Sequence, residues 1–166
     1  MAYDKATGQK IQDWGPGKLP TSEWGNMLVD GNKVYIVSRF PNDVPLLALD
    51  KGTGELLATD TGMRGYGMSL LKVGSHVLFG GQIINSPYIQ PVAFVDQLTF
   101  RLSSFFGASF PLPSLPSSVN MAFPWAMTRV GNVLFVGGVF KTYNARNLTA
   151  INLIRDTIQR ALELGR

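Results

Sequence analysis

The side chains with most capacity for chemistry in this 166-residue chain are few and scattered. There is no cysteine, so disulfides, thiolate metal sites and cysteine nucleophiles are excluded, and the redox compartment is left open. The single histidine, His76, reads as a hairpin-turn residue at a place where Asn32 and Asn132 stand in related segments. Asp4, Asp50 and Asp96 recur once per stretch in an Asp-x-x-Thr pattern, the signature of a turn in which the carboxylate caps its own backbone rather than of a metal site. Lys51-Gly-Thr-Gly54 faintly suggests a phosphate loop, but no helix follows it, and no nucleophile elbow or metal-ligand spacing occurs.

The recurrence with most binding potential is an aromatic residue, a small residue and a methionine: Trp24-Gly-Asn-Met27, Tyr66-Gly-Met68 and Trp125-Ala-Met127. Two readings are open. The aromatics either pack between structural units or gather as a platform that stacks on sugars or planar ligands, with Arg64 and Arg129 close enough in sequence to add an anion contact. No cofactor is implied.

Composition sets the frame for these residues. A chain that is 45% hydrophobic and 16% charged has the makings of a real core, and 18 glycines with 10 prolines favour short elements joined by turns. The net charge of +4 comes from Lys and Arg spread singly, without the basic, aromatic-interleaved cluster of a nucleic-acid surface, so no nucleic-acid partner is expected. No 18-residue apolar run spans a membrane. Residues Met1 to Gly8 lack the apolar core of a signal peptide, and Asn147-Leu-Thr149 is a lone glycosylation sequon.

Two signatures alternate along the chain. Tyr3-Asp-Lys-Ala-Thr-Gly8 recurs as Leu49-Asp-Lys-Gly-Thr-Gly54, more loosely as Val95-Asp-Gln-Leu-Thr-Phe100, and as an echo from Ile151-Asn152. Between them come Gly31-Asn-Lys-Val-Tyr-Ile36, Gly74-Ser-His-Val-Leu-Phe79 and Gly131-Asn-Val-Leu-Phe-Val136, each a two-residue turn opening into a β-branched and aromatic strand. Gly80-Gly81 and Gly137-Gly138 then permit a bulge or close packing on a neighbour, with Ser38-Arg39 in their place in the first copy. A period in the forties with two hairpins per period predicts four-stranded units.

The pattern of Gly-Asn-x-Val-Tyr or Phe, Gly-Gly-x-Phe, Asn147-Leu-Thr-Ala150 and Asp50-Lys-Gly-Thr-Gly54 resembles the delta-60 type β-propeller repeat, and its turn half is similar to the quinoprotein-type repeat. The resemblance implies an all-β fold, a partial propeller of about three four-stranded blades after an N-terminal half-blade. It also implies the settings of such repeats, which are bacterial surface and secreted proteins and phage structural proteins. The acidic and tryptophan-rich segments of the quinone enzymes are absent, so no quinoprotein activity is implied.

The units run about 1–25, 26–65, 66–123 and 125–166, within one repeat domain. An apolar, proline-rich insertion at 106–124 is either a loop folded over its own unit or an arm docking on a neighbour through Phe105, Phe106, Phe110, Leu112, Leu115 and Phe123. Residues 148–163 are expected to form a last hairpin, with a C-terminal helix as rival because Ile151, Ile154, Ile158 and Leu162 fall at helical spacing. Propellers close with four to eight blades, so three and a half leave faces to be hidden, and an obligate assembly with copies or other subunits is expected. The function expected is a non-enzymatic structural or interaction module, such as a virion or surface-complex component, with a lectin-like carbohydrate binder as the alternative.

Overall fold

The structure, a computed structural model, describes residues 2–15, 24–39, 44–59, 64–85, 88–101, 115–116, 122–140 and 148–153. These form eleven strands in three antiparallel sheets, with no closure of one sheet on another. The first sheet is a meander of β1 (Trp24–Asp30), β2 (Lys33–Ser38), β3 (Leu46–Asp50) and β4 (Leu56–Thr59). The second contains β5 (Arg64–Val73), β6 (His76–Asn85), β7 (Tyr88–Asp96) and the two-residue β8 (Leu115–Pro116). The third contains β9 (Ala122–Val130), β10 (Val133–Phe140) and β11 (Leu148–Asn152), ordered β11-β10-β9.

Each sheet opens on a tight hairpin. Gly31, Gly74 and Gly131 have φ of 56°, 58° and 56°, and Phe100 is the one non-glycine residue with positive φ among those described. Asn32, Ser75 and Asn132 therefore keep negative φ, the pattern of a type II′ turn rather than one needing two positive angles. The turn between the third and fourth strands is equally regular. Asp50 Oδ1 accepts from the amides of Gly52 and Thr53 at 2.7 and 2.8 Å, and Asp4 and Asp96 repeat this with Ala6 and Thr7 and with Leu98 and Thr99. Gly8 and Gly54 take the left-handed position after the threonine, and in the loose copy Phe100 takes it with φ 53°. A side chain is tolerated there because the ring is buried and stacks on Tyr35 at 6.4 Å.

Backbone bonds from one turn to the other recur at the same place in the three sheets. The amides of Lys51, Gln97 and Leu153 donate to the carbonyls of Asn32, Ser75 and Asn132 at 2.9, 3.0 and 2.8 Å. Residue Lys33 pairs with Asp50, His76 with Asp96, and Val133 with Asn152, so the echo at Ile151-Asn152 is in register with the two stronger copies.

Burial explains the strand sequences. Positions 34–38 of β2, 46–49 of β3, 77–81 of β6 and 92–95 of β7 are buried without alternation, which an apolar run achieves only when both faces are covered. Tyr35, Val37, Leu46 and Ala48 of the first sheet pack against Val77, Phe79, Ala93 and Val95 of the second. Leu78, Val92 and Phe94 on the opposite face of the second sheet pack against Leu134 and Val136 of the third. Trp14 and Trp24 cover Val34, Ile36 and Leu49 on the remaining face of the first sheet, with the Trp14 indole N–H donating to Lys51 O at 2.9 Å. In β10, by contrast, Leu134 and Val136 are buried while Val133 and Phe135 are half-buried, so among the described residues only one face of the third sheet is fully covered.

Several details depart from the sequence reading. The residues in register with Gly80-Gly81 and Gly137-Gly138 are Val37-Ser38, one earlier than Ser38-Arg39. Ser75, not His76, matches Asn32 and Asn132; His76 opens β6, its ring edge-on to Phe94 at 6.5 Å. The strand paired with the start of β7 comes from the apolar insertion, where Leu115–Pro116 pairs with Ile89 and Tyr88; residues 102–105, where a strand is expected after the Asp96 turn, lie outside the described residues. Proline is acceptable there because β8 is an edge. Strand β9 starts at Ala122, so Phe123 and Pro124 belong to the third sheet. Residues 148–152 are strand; 154–166, where the helix and hairpin readings diverge, lie outside the described residues.

The aspartate turns carry a pH prediction. Amide and hydroxyl donation from Thr7, Thr53 and Thr99 holds the carboxyls of Asp4, Asp50 and Asp96 below the ordinary value of 3.8. A lowered folded-state pKa means stability that is present above that ordinary value and is lost as pH falls through the folded value. The melting temperature is therefore expected to drop on acidification below about pH 4, and to drop less in an Asp50→Ala variant, which already lacks one contribution at neutral pH. Thermal melts of both proteins from about pH 6 to pH 2 check this.

Candidate functional site

The three sheets meet through their opening strands, with β1 against β5 and β5 against β9. Each of these strands carries a bulge near its start. The register skips one residue between Trp24 and Met27, between Gly67 and Ser69, and opposite the Gly137/Gly138 step, where Pro124 and Ala126 are paired and Trp125 is extra. A bulge turns the strand and increases its twist, which lets the next sheet lie close.

Two side chains then make equivalent ties to the following sheet. Asn26 Nδ2 donates to Met68 O at 2.7 Å, and the buried Ser69 Oγ donates to Pro124 O at 2.9 Å. Ala126 holds the corresponding register place in the third sheet and has no group to donate. Volumes are matched in the same region. A β-carbon on Gly67 would lie 2.5 Å from Val37 Cβ, and one on Gly80 would lie 2.8 Å from Pro124 Cγ. Val37 and Gly80 occupy the same register place in consecutive sheets, as do Gly67 and Pro124, so a large residue faces a glycine in one contact and a glycine faces a large residue in the next.

At the hairpin end the first two sheets are joined by polar groups. Asp30 forms an ion pair with Lys72 and accepts from Gln97 Nε2 at 2.7 Å, while Lys33 Nζ donates to Gln97 O at 2.9 Å. Lys72 and Gln97 hold the Asp30 carboxyl below its ordinary range. Asn26, Gly67 and Met68 fall within the aromatic–small–methionine segments and Gly80 within a glycine pair whose size signalled close approach, whereas Asp30, Lys33, Ser69, Lys72 and Gln97 did not stand out in the sequence.

The three proposed platform aromatics occupy three different environments. Trp24 precedes its bulge and packs over Val34, Ile36 and Leu49. Tyr66 matches Phe123, not Trp125, and these two rings stack between the second and third sheets with centroids 5.7 Å apart and planes 22° apart. Burial raises the Tyr66 phenol above its ordinary range. Trp125 is the extra residue of the β9 bulge and is 58% exposed. The two arginines are also apart in the repeat frame. Arg64 begins β5, whereas Arg129 matches Lys72, eight residues and about 26 Å farther along an extended strand. Arg129 Nε donates to Gly131 O at 2.6 Å, held against its own turn.

Of the apolar arm, Phe105, Phe106, Phe110 and Leu112 lie outside the described residues, Leu115 is in β8, and Phe123 is in the stacked pair. Among the described residues no group of three or more His, Asp and Glu side chains is placed to hold a metal, and no helix is long and apolar enough to cross a membrane. What the arrangement provides is a set of sheet-to-sheet contacts and an exposed indole two residues along β9 from a stacked aromatic ring. In comparisons with known proteins, no family model, curated protein or solved structure matches the chain.

Proposed function

We propose that the chain is a segment of a β-propeller and serves as a non-enzymatic structural and interaction module within a larger assembly, of the phage-particle or surface-complex kind that the repeat resemblance implies. The observation that carries the reading is the repetition, at the same register, of the contact that joins one sheet to the next: Asn26 with Met68 and Ser69 with Pro124, Val37 over Gly67 and Gly80 under Pro124. Sheets joined this way add in series, and a series of three leaves two end faces for partners. The side chains most deeply committed are committed to packing rather than to a reacting cleft.

A second reading, carbohydrate binding, is favoured by one feature: the 58% exposed Trp125 set on the β9 bulge, two residues along the strand from Phe123 of the Tyr66–Phe123 stack. The Trp24→Ala and Trp125→Ala variants separate the two. Trp24→Ala is expected to cost about 1–2 kcal/mol because a half-buried indole is removed from an apolar cluster, whereas Trp125→Ala is expected to stay within about 0.5 kcal/mol of the parent. With the interaction module, a glycan array is blank for the parent and for both variants. Glycan retention by the parent that vanishes in a normally melting Trp125→Ala variant would replace it with the lectin-like reading.

A further inference from the structure

Register equivalence allows each exposed apolar side chain on the two end faces to be compared with its counterparts inside the stack. Val130, at the hairpin end of the third sheet, is 66% exposed; its counterparts are Asp30, ion-paired to Lys72 of the next sheet, and Val73, packed at the contact of the second and third sheets. Phe135 is half-buried, whereas its counterparts Tyr35 and Leu78 are buried by the following sheet. On the opposite end of the stack, Met27 is 68% and Val29 57% exposed. Met27 matches Leu70 and Met127, both of which pack on the preceding sheet, and Val29 matches Lys72.

The correspondence is specific. The place filled inside the stack by the ion pair Asp30–Lys72 is filled on the free faces by Val130 and Val29. One face offers an apolar residue where the other needs one, and both belong to this chain. Residues 2–15 cover the first sheet only around Trp14, over Val34, Ile36 and Leu49. Strand β1 is left open, and the opening strand is the element that meets the preceding sheet in both internal contacts.

We infer that the occupant of the outward face of the third sheet is a second copy of this chain, docked head to tail so that its Met27 and Val29 lie on Val130 and Phe135. The inference rests on the propeller reading, since it extends the internal contact to a third instance. A head-to-tail contact uses two different surfaces, so it closes a ring when the rotation allows and propagates otherwise. Two copies of three sheets give six, within the range of closed propellers.

The full chain, its Val130→Asp variant and its Val29→Lys variant would be measured by light scattering after size exclusion at micromolar concentration, with circular dichroism to confirm retained β structure. The parent is expected at twice or more the 18.1 kDa chain mass, and each folded variant alone at the monomer mass. Mixing the two variants is expected to restore association, because Val130→Asp keeps an intact β1 strip, Val29→Lys keeps an intact third-sheet face, and the two altered residues attract. A monomeric parent overturns the inference. So does an oligomer that only Val130→Asp disrupts, which would mean two third-sheet faces meeting symmetrically, or one that neither substitution disrupts. A monomeric parent with a blank glycan array would remove the second copy while leaving the interaction module to a different partner.

Discussion

A Gly81→Ala variant is expected to lose about 3 kcal/mol or more of unfolding free energy, read as a lower urea midpoint at unchanged slope. Gly81 sits in β6 opposite the β5 bulge, where an added β-carbon would stand 2.8 Å from Gly67 Cα and 2.9 Å from the Tyr66 carbonyl carbon, and closer still to its oxygen. These are backbone atoms of a paired strand, so relief requires the strand to move rather than a side chain to rotate. Gly138 faces Phe123 and Pro124 in the same way, and its alanine variant is expected to behave alike. Gly52→Ala gives the contrast. That turn glycine is exposed, has no positive φ, and its nearest atom is the terminal oxygen of Asp50, so the change is expected to stay within about 1 kcal/mol.

The second large effect is expected for Phe79→Ala, at about 3–5 kcal/mol. The ring is fully buried between the first two sheets, in the cluster that contains Tyr35, Val37, Leu46 and Val95. Its removal leaves a cavity lined by strands of two sheets that are each fixed by their own hydrogen bonds, so collapse is limited. Set against a typical domain stability of about 5–15 kcal/mol, such a loss brings the variant near unfolding at ambient temperature. Leu98→Ala, a substitution of the 91% exposed leucine in the Asp96 turn, is the matched control and is expected to change the midpoint little.

These effects show which parts of the fold were legible in the sequence. The turns were, because their chemistry is local: an aspartate that accepts two amides and a threonine hydroxyl, or a glycine with φ near 56°, needs nothing from the rest of the chain. So were β2, β6 and β10, which follow the turns at Gly31, Gly74 and Gly131 where the pattern placed them. Contacts between sheets were less legible, because each bulge shifts the register by one. That is why Trp24, Tyr66 and Trp125 look equivalent in sequence yet take three places, and why Tyr66 finds Phe123 instead. Strand β8 was hidden for another reason. Leu115–Pro116 lies in a segment whose prolines argue against a strand, and only the edge position makes it admissible.

The most direct test of the repeated sheet-to-sheet contact is a double-mutant cycle on Val37 and Gly67. Gly67→Ala places a carbon 2.5 Å from Val37 Cβ, while Val37→Gly empties the same space and copies the Gly80 arrangement of the next sheet. Each single change is expected to destabilise, and the pair together to be more stable than the sum of the two losses by at least about 1 kcal/mol. Additive losses, within about 0.5 kcal/mol, would mean that the two residues do not share a contact and that the sheets are not joined in this way.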